Sequence, residues 1–254
     1  MAHHAGSTEP TVSSVSSPSA QIILGQQHHP SVMRNRIPIL KVLLNLLPPS
    51  DTYEGRLLEV ATGTGALMEV VAPAFPMLKY QPSEYVPEVP AAPEEQWSMH
   101  GKIGLRAELD ELENIDSRGV KLFKNVLGAV AVDLSDDDFP EVILAEMFDV
   151  VVCCNTLHIT PWVCSVNLFK NAGKHLNVGG CLVVYGPFKV SGSFIGDDGG
   201  EGNRKFDEKL RATNDAWAIR DVGDLVKLAE TVGLELKNRV DMPSNNLTLR
   251  FVKV

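Results

Sequence analysis

A doubly wound α/β domain is predicted by three features of the 254-residue sequence. Strand-like and helix-like hydrophobic segments alternate along most of it, the strand segments are nearly continuous apolar runs, and a last pair of strands surrounds a turn at residues 243–246. Such alternation calls for a parallel sheet covered by helices on both faces and joined by right-handed crossovers. The closing pair adds a reversal, so the expected sheet is seven-stranded, mostly parallel, with a reversed C-terminal strand.

Each element follows from its pattern. Ile37, Leu40, Leu43, Leu44 and Leu47 recur at helical spacing and stop at Pro48 and Pro49, giving an amphipathic helix over 34–47. A buried strand is expected at 56–61, a tight turn at 62–65, a helix at 66–75 and a short strand at 78–81. A Pro- and charge-rich insertion follows at 86–118, with a helix at 105–115. Strands at 126–132, 148–153 and 181–185 then alternate with helices at 139–146 and 163–176. Residues 187–220 read as a long polar lid loop, before a helix at 221–232 and antiparallel strands at 234–240 and 247–252. The first thirty residues, rich in Ser, Thr, Pro, His and Gln, read as a disordered tail, leaving 31–254 as one domain.

Composition excludes several classes. No apolar run reaches the roughly 18–20 residues that span a bilayer. The tail lacks a basic start with a long apolar stretch and lacks an Arg-bearing amphipathic helix, so a soluble, cytoplasmic protein is expected. A net charge of −9 disfavours broad attraction to nucleic acid. Cys153, Cys154 and Cys181 lie in apolar runs and Cys164 stands alone, which predicts reduced thiols; with scattered histidines and no CxxC pair, no metal is expected. The acidic run Asp136–Asp138 with Glu141 reads as a solvated helix start.

The chemistry-bearing signal is Leu57-Leu58-Glu59-Val60-Ala61-Thr62-Gly63-Thr64-Gly65. Gly63 and Gly65, at the end of a strand and before a helix, allow backbone to approach a ligand. A dinucleotide fingerprint would carry a third glycine where this chain has Met68, and its sheet would continue βαβ to the edge instead of reversing. Glu59 is costly inside a buried strand unless it meets donors or a cation, and a ligand ammonium would satisfy it, as would backbone amides. Glu84, about twenty residues on, suits ribose hydroxyls. Asp133 closes the third strand, either within reach of an adenine amino group or as a cap for the turn before Ser135. Asn155 and His158 follow the fourth strand, where His158 is either a general base or a hydrogen-bonded structural group. The cluster Asn203, Phe206, Asp207, Arg211, Asn214, Trp217, Arg220 and Asp221 mixes aromatic and charged groups as binding surfaces do, or as capping and surface pairing would; residues 198–202 should be mobile.

In combination, Arg34-Asn35 before Pro38-Ile39, the 58–65 turn, Tyr80-Gln81-Pro82-Ser83, Tyr185-Gly186-Pro187-Phe188, Phe206-Asp207, Asn214, Trp217, Arg220-Asp221, and Val240-Asp241-Met242-Pro243 followed by Asn245-Asn246 resemble the methyltransferase-like 26 family, also called domain of unknown function 938. The resemblance runs from about residue 34 to the end, excluding much of 86–125 and the glycine-rich part of the lid. Thr62 and Thr64 stand where that family usually has serines, and Glu84 where it usually has Asp.

It implies a Rossmann-like, class I fold and S-adenosylmethionine as cofactor, with S-adenosylhomocysteine as product. Glu59, Ala61, Gly63 and Gly65 would hold the methionine end, Glu84 the ribose, Asp133 and the backbone near Leu134 the adenine, with Asn35 and Asn155 also in contact. His158, Tyr185 and Asp207 would be polar partners of a small-molecule acceptor. The run after the fourth strand lacks an Asn-Pro-Pro-Tyr type sequence, which disfavours adenine and glutamine acceptors. Alternatives are a noncatalytic cofactor-binding scaffold and, behind it, an NAD-dependent oxidoreductase.

Overall fold

A computed structural model describes residues 30–85 and 123–254. The expected tail up to residue 29 and the insertion with its helix at 105–115 lie outside the described residues. Helix α1 (Pro30–Leu46) leads into β1 (Gly55–Val60), α2 (Met68–Ala74) and β2 (Leu78–Glu84). After the undescribed stretch come β3 (Val130–Ala131), α3 (Glu141–Leu144), β4 (Phe148–Cys154), a 3₁₀ turn (Leu157–Ile159), α4 (Trp162–His175) and β5 (Leu176–Val190). The chain ends with β6 (Ser193–Phe194), α5 (Glu201–Thr213), β7 (Arg220–Asp221), α6 (Val222–Glu230), β8 (Leu234–Met242) and β9 (Asn246–Lys253).

The main path of the sheet has the order β3-β2-β1-β4-β5-β9-β8, and the short β6 and β7 pair with β5 beside it. β1 is parallel to β2 and β4, and β4 to β5, whereas β9 runs antiparallel to both β5 and β8. The reversed strand is thus inserted between its neighbours, as expected. The period of two divides the side chains between two cores. Cys181, Val183 and Tyr185 face α1 and α2, packing with Ile39, Leu43 and Val71. Leu182 and Val184 face α4 and α6, with Leu168, Phe169 and Leu225. Phe169 meets Phe251 edge-on, at 5.0 Å between ring centres.

Three expectations need correction. The third strand does not run from 126 to 132: Val126 makes a single bridge to Tyr80, and only Val130–Ala131 pairs with β2. Between them the Gln81 side chain takes the Gly128 carbonyl at 2.6 Å, occupying a group that a continuous ladder would use. The helix expected at 139–146 is the single turn α3, since the Phe139 amide is drawn to Asn171 Oδ1 and Phe148 already begins a strand.

The polar stretch at 187–220 is not a loop. β5 continues to Val190, and α5 fills the middle of the segment. The 198–202 run forms its start: Asp198 accepts from the Gly200 and Gly202 amides, at 3.0 and 2.8 Å. Asn203 fastens the helix to the β8–β9 turn by donating to the Asn245 carbonyl at 2.8 Å.

The four cysteines are free thiols, and among the described residues no helix is long and apolar enough to cross a membrane.

Gly199 and Gly200 separate two costs. Both have left-handed φ, +70° and +84°, but a Cβ on Gly199 would meet nothing within 4 Å, while one on Gly200 would lie 2.3 Å from the Phe194 carbonyl oxygen. Gly199→Ala should therefore cost only backbone strain, about 1–2 kcal/mol. Gly200→Ala should cost more and accelerate amide hydrogen exchange across 195–213; equal effects of the two variants would refute this account of the α5 start.

Candidate functional site

β1 and β4 are neighbours whose following segments turn to opposite sides, toward β2 and toward β5. Open sheets place ligands in the crevice at the carboxyl ends of such strands. The backbone is left-handed on both sides of this crevice: Ala61, Gly63 and Gly65 after β1 have φ of 59°, 58° and 77°, and Asn155 after β4 has 56°. A left-handed alanine costs about 1–2 kcal/mol, and strain of this kind gathers at functional sites. The turn is stitched to β2, with the Thr62 amide on the Ser83 carbonyl at 2.8 Å and the Ser83 amide on Thr62 Oγ1 at 3.1 Å. Among the described residues, a Cβ on Gly63 would meet no atom within 4 Å, so these residues leave the peptide open there.

Two carboxylates face this turn. Glu59 is 2% exposed, and Tyr80 donates to its Oε2 at 2.6 Å. Burial pushes the Glu59 carboxyl up to about 8, against the hydrogen bonds from Tyr80 and Thr62 and with a contribution from the Glu84 charge. Glu84 ends β2; its Oε2 accepts from the Gly63 amide and its Oε1 from the Tyr85 amide at 2.9 Å, and burial raises its pKa despite these bonds. Tyr80 was missed by sequence reasoning. The parallel register is the signal that finds it, because Glu59 stands opposite Pro82 and Tyr80 lies on the same face two residues earlier.

Asp133 forms the cap left open as the competing reading, accepting from the Ser135 amide at 2.7 Å. Leu134 beside it is buried, its carbonyl accepting from Asn167 Nδ2 at 3.0 Å.

A second group stands over β4 and β5. The Asn155 amide donates to the Tyr185 carbonyl at 2.8 Å. His158, buried on the 3₁₀ turn, lies against Gly186, where a Cβ would sit 3.5 Å from Nδ1, and meets Phe206 of α5 edge-on with ring centres 5.5 Å apart. Tyr185 Oη accepts from Asn246 Nδ2 at 3.1 Å, and burial raises the phenol pKa. Asp207 uses both oxygens within its own segment, accepting from the Ile219 amide at 2.6 Å and Arg211 Nε at 2.8 Å. Arg220 is the strongest fastening: Nε donates to the Leu157 carbonyl at 3.0 Å, Nη2 to the Thr160 carbonyl, and the guanidinium lies 5.7 Å from the centre of the Trp162 ring. It pins the turn that carries His158 to β7.

Asn35, on α1, is buried, and its Oδ1 has no hydrogen-bond partner. No three His, Cys, Asp or Glu side chains gather as a metal-ligand group among the described residues. An open surface cavity of about 480 Å³ is lined by Trp162, Asp224, Lys227, Leu228 and Thr231, and includes none of the predicted site residues.

The fold matches solved methyltransferase structures at low identity. The mitomycin 7-O-methyltransferase MmcR superposes with a TM-score of 0.63 at 14% identity, over 94% of this chain and 59% of that one. An O-methyltransferase family protein from Burkholderia thailandensis gives 0.62 at 13%, over 88% and 57%. CalO1, a methyltransferase in calicheamicin biosynthesis whose structure contains S-adenosylhomocysteine, gives 0.55 at 16%, over 87% and 54%. The chain thus spans a little over half the length of these proteins. Its own sequence matches a family model over residues 26–253, so the chain with this crevice belongs to the family described as Protein of unknown function (DUF938).

Proposed function

We propose that the protein is an S-adenosylmethionine-dependent methyltransferase of the methyltransferase-like 26 type, acting on a small molecule. The observation that carries this is Glu59: a carboxyl buried with no cationic partner among the described residues, beneath a left-handed turn whose Gly63 flank is open among those residues. A cationic ligand lying on that flank would satisfy it, and the ammonium of the cofactor is such a cation. The S-adenosylhomocysteine in the similarly folded CalO1 supports the same cofactor.

The residues fit this group. The 61–65 backbone and Glu59 would hold its amino-acid end, Glu84 its ribose hydroxyls, and Asp133 with the Leu134 backbone its base, next to Asn155. When bound, it supplies a sulfonium methyl group open to in-line displacement. The chain's part is then alignment and exclusion of water. Tyr185, held protonated by burial, orients by hydrogen bonding and does not abstract a proton. Asp207, with both oxygens engaged, positions α5 above His158. His158 is left to take a proton at its imidazole from acceptors that must lose one.

Calorimetric titration should detect binding of S-adenosylhomocysteine and none of NADH. At about 100 times its Kd the ligand should stabilise the fold by about 2.7 kcal/mol. Gly63→Val, which puts a branched side chain into the open flank, should abolish binding while the protein stays folded. If neither adenosyl ligand binds, the assignment fails.

A pH dependence follows from Glu59. In the free protein it is mostly protonated below about pH 8, so a cation that needs the carboxylate must expel a proton. Affinity for S-adenosylhomocysteine should therefore rise from pH 6 toward 8, by up to about tenfold per unit, with proton release. For folding the sign is opposite: the folded pKa lies above the unfolded one, so stability is lost as pH rises from about 4.5 to 8. Glu59→Gln should flatten both profiles, weaken binding and make the free protein more stable at pH 8 by roughly 2–5 kcal/mol. A Gln variant with unaltered pH profiles would rule this role out.

Once an acceptor is in hand, His158→Ala should slow transfer by about 10²-fold or more with S-adenosylhomocysteine affinity unchanged. Unchanged turnover would remove the base role.

A further inference from the structure

At the carboxyl end of β5, on the sheet face toward α1, three polar groups have unmet hydrogen-bonding capacity. Asn35 is 4% exposed, and its Oδ1, an acceptor, has no donor. It sits one turn before Ile39 and two before Leu43, on the stripe of α1 that packs in the same core as Tyr185. Thr248 is fully buried and its Oγ1 is unpartnered. It pairs directly across from Tyr185 on β9, and its alternation with Leu247 and Leu249, which face the other core, puts it on the Tyr185 side. Tyr185 Oη receives a hydrogen from Asn246, but an amide N–H cannot accept, so the phenol's own proton remains to be donated. Arg34, next to Asn35, is near enough for its charge to act on that phenol, which ties the start of α1 to the same place.

Buried polar atoms left unsatisfied cost about 1–3 kcal/mol each, so two on one sheet face, both on elements that reach Tyr185, are a feature to be explained. The unmet demands are specific. Asn35 Oδ1 requires a donor, and the Tyr185 proton requires an acceptor. A carboxylate can only accept and an ammonium can only donate; a neutral hydroxyl does both.

Resting on the methyltransferase reading above, we infer that Asn35, Tyr185 and Thr248 form the acceptor-recognition subsite and that it takes a neutral hydroxyl group of the small-molecule substrate. The hydroxyl gives its hydrogen to Asn35 Oδ1 and accepts from both Tyr185 and Thr248 Oγ1, with Asn246 holding the phenol in place. The subsite lies beyond β4, on the side of the crevice away from the Gly63 turn.

The test uses the full chain, with phenol as probe and anisole, whose oxygen cannot donate, as its control. Binding is followed by ligand-observed NMR with and without saturating S-adenosylhomocysteine, whose own affinity is measured separately by calorimetry. Phenol should bind at least tenfold more tightly than anisole. Tyr185→Phe and Thr248→Val, both nearly isosteric, should each reduce that preference severalfold while S-adenosylhomocysteine affinity stays within twofold, and Asn35→Ala, at a residue first expected against the cofactor, should reduce it likewise. The inference is overturned if the wild-type protein does not prefer phenol, if the variants keep the preference, or if Asn35→Ala loosens S-adenosylhomocysteine instead. Should the adenosyl ligand fail to bind while the variant-sensitive phenol preference persists, the cofactor assignment falls and the hydroxyl subsite stands.

Discussion

The divergence of the chain at β1 and β4 is the constraint from which the site is built. Because the segment after β1 crosses toward β2 and the segment after β4 toward β5, no crossover covers the gap between their carboxyl ends. Each strand must then turn away within a residue or two. Ala61 and Asn155 absorb those turns in left-handed conformations that other packing has to maintain. On the β1 side this packing is the mutual bonding of Thr62 and Ser83, which fixes the turn to β2. On the β4 side it is the Asn155 amide held by the Tyr185 carbonyl, which fixes it to β5. The two rims of the crevice are thus fastened to different neighbours, β2 and β5.

Glu59 adds an electrostatic constraint beside this crevice. Burial beside Tyr80 and near Glu84 favours the protonated form of this carboxyl, so its contribution to stability falls as pH rises through the neutral range. A glutamine would accept the Tyr80 hydrogen bond without that loss. Retaining an acid there is costly for folding, and the proposed cationic ligand would offset that cost, which links the carboxyl to the open flank of Gly63.

Much of the fold was legible in the sequence because strand runs, the Gly turn and the closing hairpin rest on local pattern and composition. The failures have physical causes. The buried positions of α5 are Asn203, Asp207 and Leu210, so its inward stripe is mostly polar and carries little apolar periodicity. Asn203 and Asp207 are satisfied in burial by the Asn245 carbonyl and the Ile219 amide, partners tens of residues away or across a turn. The third strand was overextended because a side chain, Gln81, competes for its backbone. In the site, Glu59, Glu84 and the glycines were visible as residue types in a recognisable order. Tyr80 and Arg220 acquire their meaning only from strand register and from the return of β7 to the edge of β5.

That return couples the two ends of the site. Through Arg220, β7 grips the carbonyls of the turn bearing His158, and through Asp207 the preceding helix is tied to the same strand's approach. Asn203 and Asn245 join this helix to the β8–β9 turn, and Asn246, next in sequence, orients Tyr185. The reversed strand therefore does more than close the sheet. By entering between β5 and β8, it brings an asparagine pair to the carboxyl end of β5, where one member braces the cover over His158 and the other directs the phenol. Asn203 and Asn246 thus set how α5 and the Tyr185 phenol lie against the β8–β9 turn, so under the proposed function the geometry of the acceptor side depends on the docking of a polar helix.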